Sequence, residues 1–184
     1  MVAVALGVLL GAAWIPLFLF RAENLLASLP YYTAAERYWV RLAPFTLSAH
    51  ATLGSALVSV TDPLPPSRVL VALLVLAFGV AFWLWGRRQI MPLGERRLPD
   101  DRPTVLRRDG AFGLVRNPCY FAYLLVALAP VIAAARPFLA VTWGCGVLVL
   151  AVRAVQEERR LYAQLGEEYA QYCAGVKRLI PFVW

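Results

Sequence analysis

The stretch D-G-A-F-G-L-V-R-N-P-C-Y-F-A-Y at 109–123 decides how this chain is read. Its partner is R-A-V-Q-E-E-R-R-L-Y-A-Q-L-G-E-E-Y-A-Q-Y-C-A-G-V-K-R-L-I-P at 153–181. Between the two lies an apolar stretch long enough to cross a bilayer twice, since one helical span needs about 20 apolar residues. A helical hairpin of that length returns both polar segments to one membrane face. Working outward, the rest of the chain is read as the part that holds this hairpin in lipid.

Composition supports that reading. The chain has 184 residues, of which 61% are hydrophobic and 16% charged, with a mean hydropathy of +0.64. A soluble domain of this length carries less apolar and more charged residue. The net charge of +7 raises nucleic acid as a partner, but the basic residues flank apolar runs. They are better explained as topology signals and contacts to lipid headgroups. Cys119, Cys145 and Cys173 have neither metal nor redox spacing. The opening M-V-A-V-A-L-G-V-L-L-G lacks a basic n-region, so it is expected to remain as a span.

Five spans are predicted, at about 2–20, 39–60, 68–86, 118–135 and 138–154. Gly7 and Gly11 in the first form a small-residue face for close packing. An amphipathic connector at 21–37 carries Pro30, Tyr31 and Tyr32, residue types suited to headgroup level. The second span holds Ser48, Thr52, Ser55 and Ser59 on one helical face. It also holds His50, the chain's one histidine. An ionisable group in a span is a functional candidate, and a neutral ring bonded to a neighbouring helix is the plainer alternative. D-P-L-P-P-S at 62–67 is a turn, because its prolines cannot continue a helix. The third span ends on Trp83, Trp85, Gly86, Arg87 and Arg88. A polar loop follows, broken by Pro92, Pro99 and Pro103. Arg136-Pro137 turns the chain between the last two spans, and a charged amphipathic helix is predicted at about 155–174.

Sixteen of the eighteen Arg and Lys residues fall in 21–41, 87–116 and 153–178, leaving Arg68 and Arg136. With five spans those three groups share one side. The positive-inside rule then places them in the cytoplasm and the N-terminus outside. The expected organisation is one membrane domain. It comprises spans within 1–86, a cytoplasmic polar loop at 87–117, the hairpin at 118–154, and a segment at 155–184 that closes a cofactor pocket.

The two quoted segments carry the chemistry. Gly110 and Gly113 bracket Phe112, and glycine lets backbone approach a ligand closely. Arg116-Asn117-Pro118 reads as a helix start, with Asn117 as N-cap and Pro118 in the first turn. A helix N-terminus beside an arginine suits a carboxylate or phosphate; the alternative is an arginine reaching for headgroups. Glu157 and Glu158 sit at a span end, where unpaired carboxylates are costly. Arg153 lies four residues before Glu157 on the same helical face. Phe112, Tyr120, Tyr123, Tyr162, Tyr169 and Tyr172 add aromatic faces.

The composite G-x-F-x-x-V-R-N-P-x-Y, then E-E-x-x-L, L-G-E-E-Y-x-x-Y and V-x-R-x-x-P resembles the integral-membrane methyltransferases. These are the isoprenylcysteine carboxyl methyltransferases and related phospholipid methyltransferases. The resemblance covers about 105–182. It implies S-adenosyl-L-methionine held between the last two spans and the C-terminal segment, with a lipophilic acceptor entering from the bilayer. It assigns Gly110, Phe112, Val115, Arg116, Asn117, Pro118, Tyr120, Glu157, Glu158, Tyr169 and Arg178 to the cofactor. Arg153 and Tyr123 are the candidate catalytic residues. The chain departs from the family at Asn117, where histidine is common, at Ala122, where glycine is common, and at Gly175, where eukaryotic carboxyl methyltransferases carry arginine. Carboxylate and amine acceptors both stay open. Sterol reductases, which use a nicotinamide cofactor, share a comparable Y-x-x-Y-C and I-P-F, and a non-enzymatic lipid-binding protein is a third reading.

Overall fold

The computed structural model describes residues 1–28, 33–61, 63–94 and 106–184. Among them every regular element is a helix: α1 (Val2–Ser28), α2 (Ala34–Ser59), α3 (Pro66–Gly94), α4 (Ala111–Leu114), α5 (Pro118–Ala134), α6 (Pro137–Leu165) and α7 (Glu167–Gly175). Pro30, Tyr31, Tyr32, Asp62, Pro99 and Pro103 lie outside the described residues.

Local chemistry sets the helix ends. Thr33 and Glu36 form a reciprocal capping box at the start of α2. The Glu36 N–H donates to Thr33 Oγ1 at 3.3 Å, and the Thr33 N–H donates to Glu36 Oε2 at 2.9 Å, satisfying two donors that no helical turn precedes. Pro118 and Pro137 open α5 and α6, where a missing N–H costs nothing. α5 stops at Ala135, which has a left-handed φ of 48°. α6 stops at Gly166, with a φ of 53°.

Two expectations need correction. The fifth span and the charged helix behind it are one rod: α6 runs unbroken from Pro137 to Leu165, about 44 Å at 1.5 Å per residue. No proline or glycine interrupts the turn where its composition changes from apolar to charged, so only Gly166 ends it. The polar loop also begins later than expected, because α3 carries Arg87, Arg88 and Gln89 within the helix and continues to Gly94.

The α5–α6 pair is not a simple hairpin. α5 packs most broadly on α3, while α6 leans mainly on α2. Glycines set these approaches. A Cβ on Gly79 would come within 3.0 Å of Leu125 on α5. A Cβ on Gly54 of α2 would meet the Pro130 ring at 2.7 Å, and one on Gly146 of α6 would meet Leu47 at 3.0 Å. α2 therefore wedges between α5 and α6. The first-span glycines do what their spacing suggested: Gly7 and Gly11 receive Ser59 and Ser55 of α2. Ser48 accepts from Trp14 Nε1 at 3.2 Å, whereas Thr52 of the same face is exposed.

His50 takes the plainer role. It is buried, with Nε2 2.8 Å from the Ala127 carbonyl of α5 and Nδ1 2.8 Å from Thr142 Oγ1 of α6. A carbonyl only accepts, so Nε2 carries a proton, and Nδ1 shares the Thr142 hydroxyl with the Leu139 carbonyl, 3.1 Å from Oγ1. The imidazole thus joins three helices.

Among the described residues, two helical stretches, Pro66–Gln89 and Pro137–Leu165, are long and apolar enough to cross a bilayer; Val2–Leu17 and Pro118–Ala134 are apolar and shorter. Only 33% of the apolar window is buried in each long helix. Large apolar side chains such as Leu70, Leu74, Phe78, Val141 and Leu148 face outward instead.

Candidate functional site

The site forms where three chain segments converge at the arginine-rich end of α3, α5 and α6. Gly110 has a φ of 57° and lies against the Gln89 side chain of α3. That side chain accepts the Ala111 N–H at 3.0 Å. α4 follows as a single turn. Val115 then pairs with Lys177 in an isolated parallel bridge. The Arg116 N–H donates to Lys177 O at 2.8 Å and the Asn117 N–H to Arg178 O at 3.1 Å. Asn117 occupies the N-cap position without capping. Its side-chain amide donates instead to Arg178 O at 3.0 Å, and the Tyr172 hydroxyl donates to Phe112 O at 2.6 Å. Backbone and side chain together strap 172–178 onto the start of α5.

Glu158 is the hub of the strap. Arg116 donates from Nε to Oε1 at 2.9 Å and from Nη2 to Oε2 at 3.2 Å. Arg178 donates from Nε to Oε2 at 2.8 Å. Arg116 Nη1 also reaches the carbonyls of Cys173 and Val176, at 3.0 and 2.8 Å. A guanidinium satisfying a carboxylate through two nitrogens, with its spare donors on carbonyls, gains both strength and geometry. The ion pair itself fills the space between Arg116 and Glu158. Two arginines share this one carboxylate, so the cluster carries an excess positive charge.

Glu157 stands in different company. Its Oε1 accepts from Arg153 Nη2 at 2.6 Å and from the Tyr120 hydroxyl. Arg153 is buried, its side chain 1% exposed against 30% for Glu157, and its Nη1 donates to Gln156 at 3.2 Å. The Glu157 carboxylate is the accessible member of this group. Glu36 on α2 feels the same charges. Burial would raise its carboxyl pKa, but the Thr33 hydrogen bonds and the positive fields of Arg160 and Arg153 outweigh that and hold it below the ordinary value.

Tyr169 and Tyr172 lie behind the Glu158 hub, both buried, with ring centroids 5.9 Å apart. Burial pushes both phenols above their ordinary pKa. The Glu158 carboxylate pushes Tyr169 further up, and the Arg116 guanidinium opposes the shift at both.

A shallow apolar hollow, with room for about one water molecule, lies among α1, α2, α5 and α6. Trp14, Leu17, Ala43, Pro44, Leu47, Tyr123 and Leu150 line it. Tyr123 is one helical turn from Tyr120, with ring centroids 6.4 Å apart, and Leu150 is one turn from Arg153. The hollow therefore ends beside the Glu157 group. It exists because α2 props α5 and α6 apart.

The structure brings Gly110, Phe112, Arg116, Asn117, Tyr120, Tyr123, Arg153, Glu157, Glu158 and Arg178 into one neighbourhood. Val115 and Pro118 belong to its packing, fully buried in the bridge and against Gly86 of α3. Tyr169 is walled in beneath the strap. Gln89 was not foreseen; only its place at the end of an apolar helix marked it. The Cys173 and Val176 carbonyls leave no trace in a sequence. In chemical terms the Arg116–Glu158–Arg178 cluster suits an anion, and the partly exposed Glu157 carboxylate suits an ammonium or a diol. Among the described residues no group of His, Cys, Asp or Glu could hold a metal ion. The chain matches no model of a known protein family and no curated protein.

Proposed function

We propose that this chain is an integral membrane enzyme that transfers a methyl group from S-adenosyl-L-methionine to a lipophilic acceptor. The observation that carries the reading is the contact of Arg116 with Glu158 across 42 positions. It joins the two stretches that resemble the membrane methyltransferases, beside an apolar hollow.

A bilayer accounts for the outward apolar faces, since soluble monomers rarely expose contiguous patches of that kind. In this reading α1, α2, α3, α5 and α6 are the five spans. The end bearing Arg37, Arg41, Arg87, Arg88, Arg153, Arg159, Arg160, Lys177 and Arg178 faces the cytoplasm, and the N-terminus lies outside.

The residues present fit the cofactor's functional groups. The excess positive charge around Glu158 suits its carboxylate, and Glu157 and Tyr120 suit its ammonium or ribose hydroxyls. When bound, the cofactor supplies a methyl group on a sulfonium, already activated for displacement. What the chain must supply is alignment and exclusion of water. Arg153 lies beneath Glu157 and fixes the direction of its carboxylate, which makes it a positioning residue. Tyr123 closes the hollow next to Tyr120. The acceptor's apolar part lies in lipid against the mouth of the hollow, with its polar end toward Glu157. An amine acceptor must shed a proton, and the Glu157 carboxylate is the acceptor for it. A carboxylate acceptor needs no base and would be drawn by the arginines.

Purified protein incubated with methyl-labelled cofactor and native lipid extract tests the reading. A labelled lipid is the expected product, as a stable amine or a base-labile ester. Labelled lipid that forms equally with Glu157→Gln would refute the assigned site, and no labelled lipid under any extract would refute the activity.

A further inference from the structure

We propose that residues 177–184 form an interfacial foot that inserts apolar side chains among the headgroups of an anionic bilayer. This inference rests on the membrane reading above. Around Leu179, which is fully buried, the chain folds into a tight turn. The N–H groups of Leu179 and Ile180 donate to Trp184 O at 2.6 and 2.9 Å, and the N–H groups of Val183 and Trp184 donate back to Ile180 O. Phe182 holds a φ of 65°, a left-handed conformation unusual for an aromatic residue. The result is a preformed display of apolar groups: Phe182 is 87% exposed and Val183 71%, with Ile180 and Trp184 beside them.

Charge and height identify the occupant. Exposed Lys177 and the Arg178 guanidinium, whose carbon sits 4.6 Å from the Trp184 ring centroid, border the turn. Lys177 and Arg178 pair with Arg116 and Asn117, immediately before Pro118 begins the apolar α5. Pro118 packs on Gly86, next to Arg87, whose guanidinium carbon lies 5.0 Å from the Trp83 ring centroid. The turn therefore lies at the level where α3 and α5 change from apolar to basic. Aromatics and Lys or Arg at that level suit headgroups with negative charge. Arg178 binds Glu158 as well as Trp184, so the foot is tied directly to the candidate site.

The test uses the full chain in nanodiscs whose lipids carry brominated acyl chains. The Trp184 signal is the fluorescence difference between the unaltered chain and Trp184→Phe. Subtraction of Trp85→Phe gives an internal control from α3. The expected result is quenching of Trp184 by brominated lipid and weak quenching by aqueous acrylamide. Quenching should be stronger in phosphatidylglycerol than in phosphatidylcholine, and Lys177→Gln should lose that difference. Trp184 quenched by acrylamide and untouched by bromine, while Trp85 is quenched by bromine, overturns the foot and leaves the membrane reading standing. Trp184 shielded from both quenchers, with shielding lost on dilution to single copies per disc, overturns it in favour of a second copy of the chain. A Trp85 signal insensitive to brominated lipid overturns both.

Discussion

Arg116 and Glu158 meet through two hydrogen bonds, at 2.9 and 3.2 Å, with about a tenth of each side chain exposed. This pair locks the C-terminal strap to the start of α5. Removing one partner strands the other's charge, which typically costs about 3–5 kcal/mol in a buried setting. Arg116→Ala and Glu158→Ala are each expected to lower thermal stability by an amount at the low end of that range, since the pair keeps some contact with solvent. Both should expose 166–184 to limited proteolysis. A double-mutant cycle reads the coupling directly; additive effects would show that the two residues act separately.

Glycine positions give a sharper contrast. A Cβ on Gly7 would lie 2.7 Å from the Ser55 carbonyl and closer still to Ser59 Oγ, whereas one on Gly144 of α6 meets nothing within 4 Å. Gly7→Ala should force α1 from α2 and destabilise by about 1–3 kcal/mol, as overpacking does. Gly144→Ala should be neutral or stabilise by up to about 1 kcal/mol through helix propensity. Melting curves in the same detergent compare them, and equal losses would contradict the packing described.

His50 and Thr142 form another coupled pair, at 2.8 Å. Thr142→Val leaves Nδ1 buried without its donor, at an expected cost of about 1–3 kcal/mol. His50→Phe removes the need for that donor, so Thr142→Val should cost much less in its background. A full cost in both backgrounds would show that the bond contributes nothing.

Alkaline pH should loosen the strap. Burial raises the Tyr169 and Tyr172 phenols above the ordinary value of 10.0. The folded state therefore holds protons that the unfolded chain releases. That stabilisation is complete below pH 10 and is lost progressively as pH rises above it toward the folded values. Phenolate absorbance followed with pH should show a late-titrating group of tyrosines, one fewer in Tyr172→Phe. Titration of every tyrosine near 10 would contradict the burial.

Much of the helical plan was legible because it depends on local signals. Prolines at 118 and 137 act within a turn of themselves and mark the helix starts, whereas the equally local Thr33–Glu36 box and the Gly166 stop were passed over, the charged helix being expected to run on to about 174. The meeting of 109–123 with 153–181 was legible too, since an apolar hairpin must return its ends to one side. Other features are tertiary. Nothing within α5 or α6 says that α2 will wedge between them, because the wedge depends on Gly54 and Gly146 meeting Pro130 and Leu47. The divergent partners of the adjacent Glu157 and Glu158 follow from helix geometry: about 100° separates neighbours, so one faces the strap and the other the hollow. Arg116 was read as a site for a carboxylate or phosphate, or a partner of the glutamate pair, and it does meet Glu158. Its remaining donors go to the carbonyls of Cys173 and Val176, and a backbone carbonyl has no sequence signature.

The most direct test of the methyltransferase reading is the melting temperature of the detergent-solubilised chain with S-adenosylhomocysteine or NADPH. A ligand that binds only the folded state raises it. A clear rise is expected with S-adenosylhomocysteine and none with NADPH, the rise being reduced or abolished in Glu157→Gln. A rise with NADPH alone, or no response to saturating S-adenosylhomocysteine from a protein that still melts cooperatively, would contradict it.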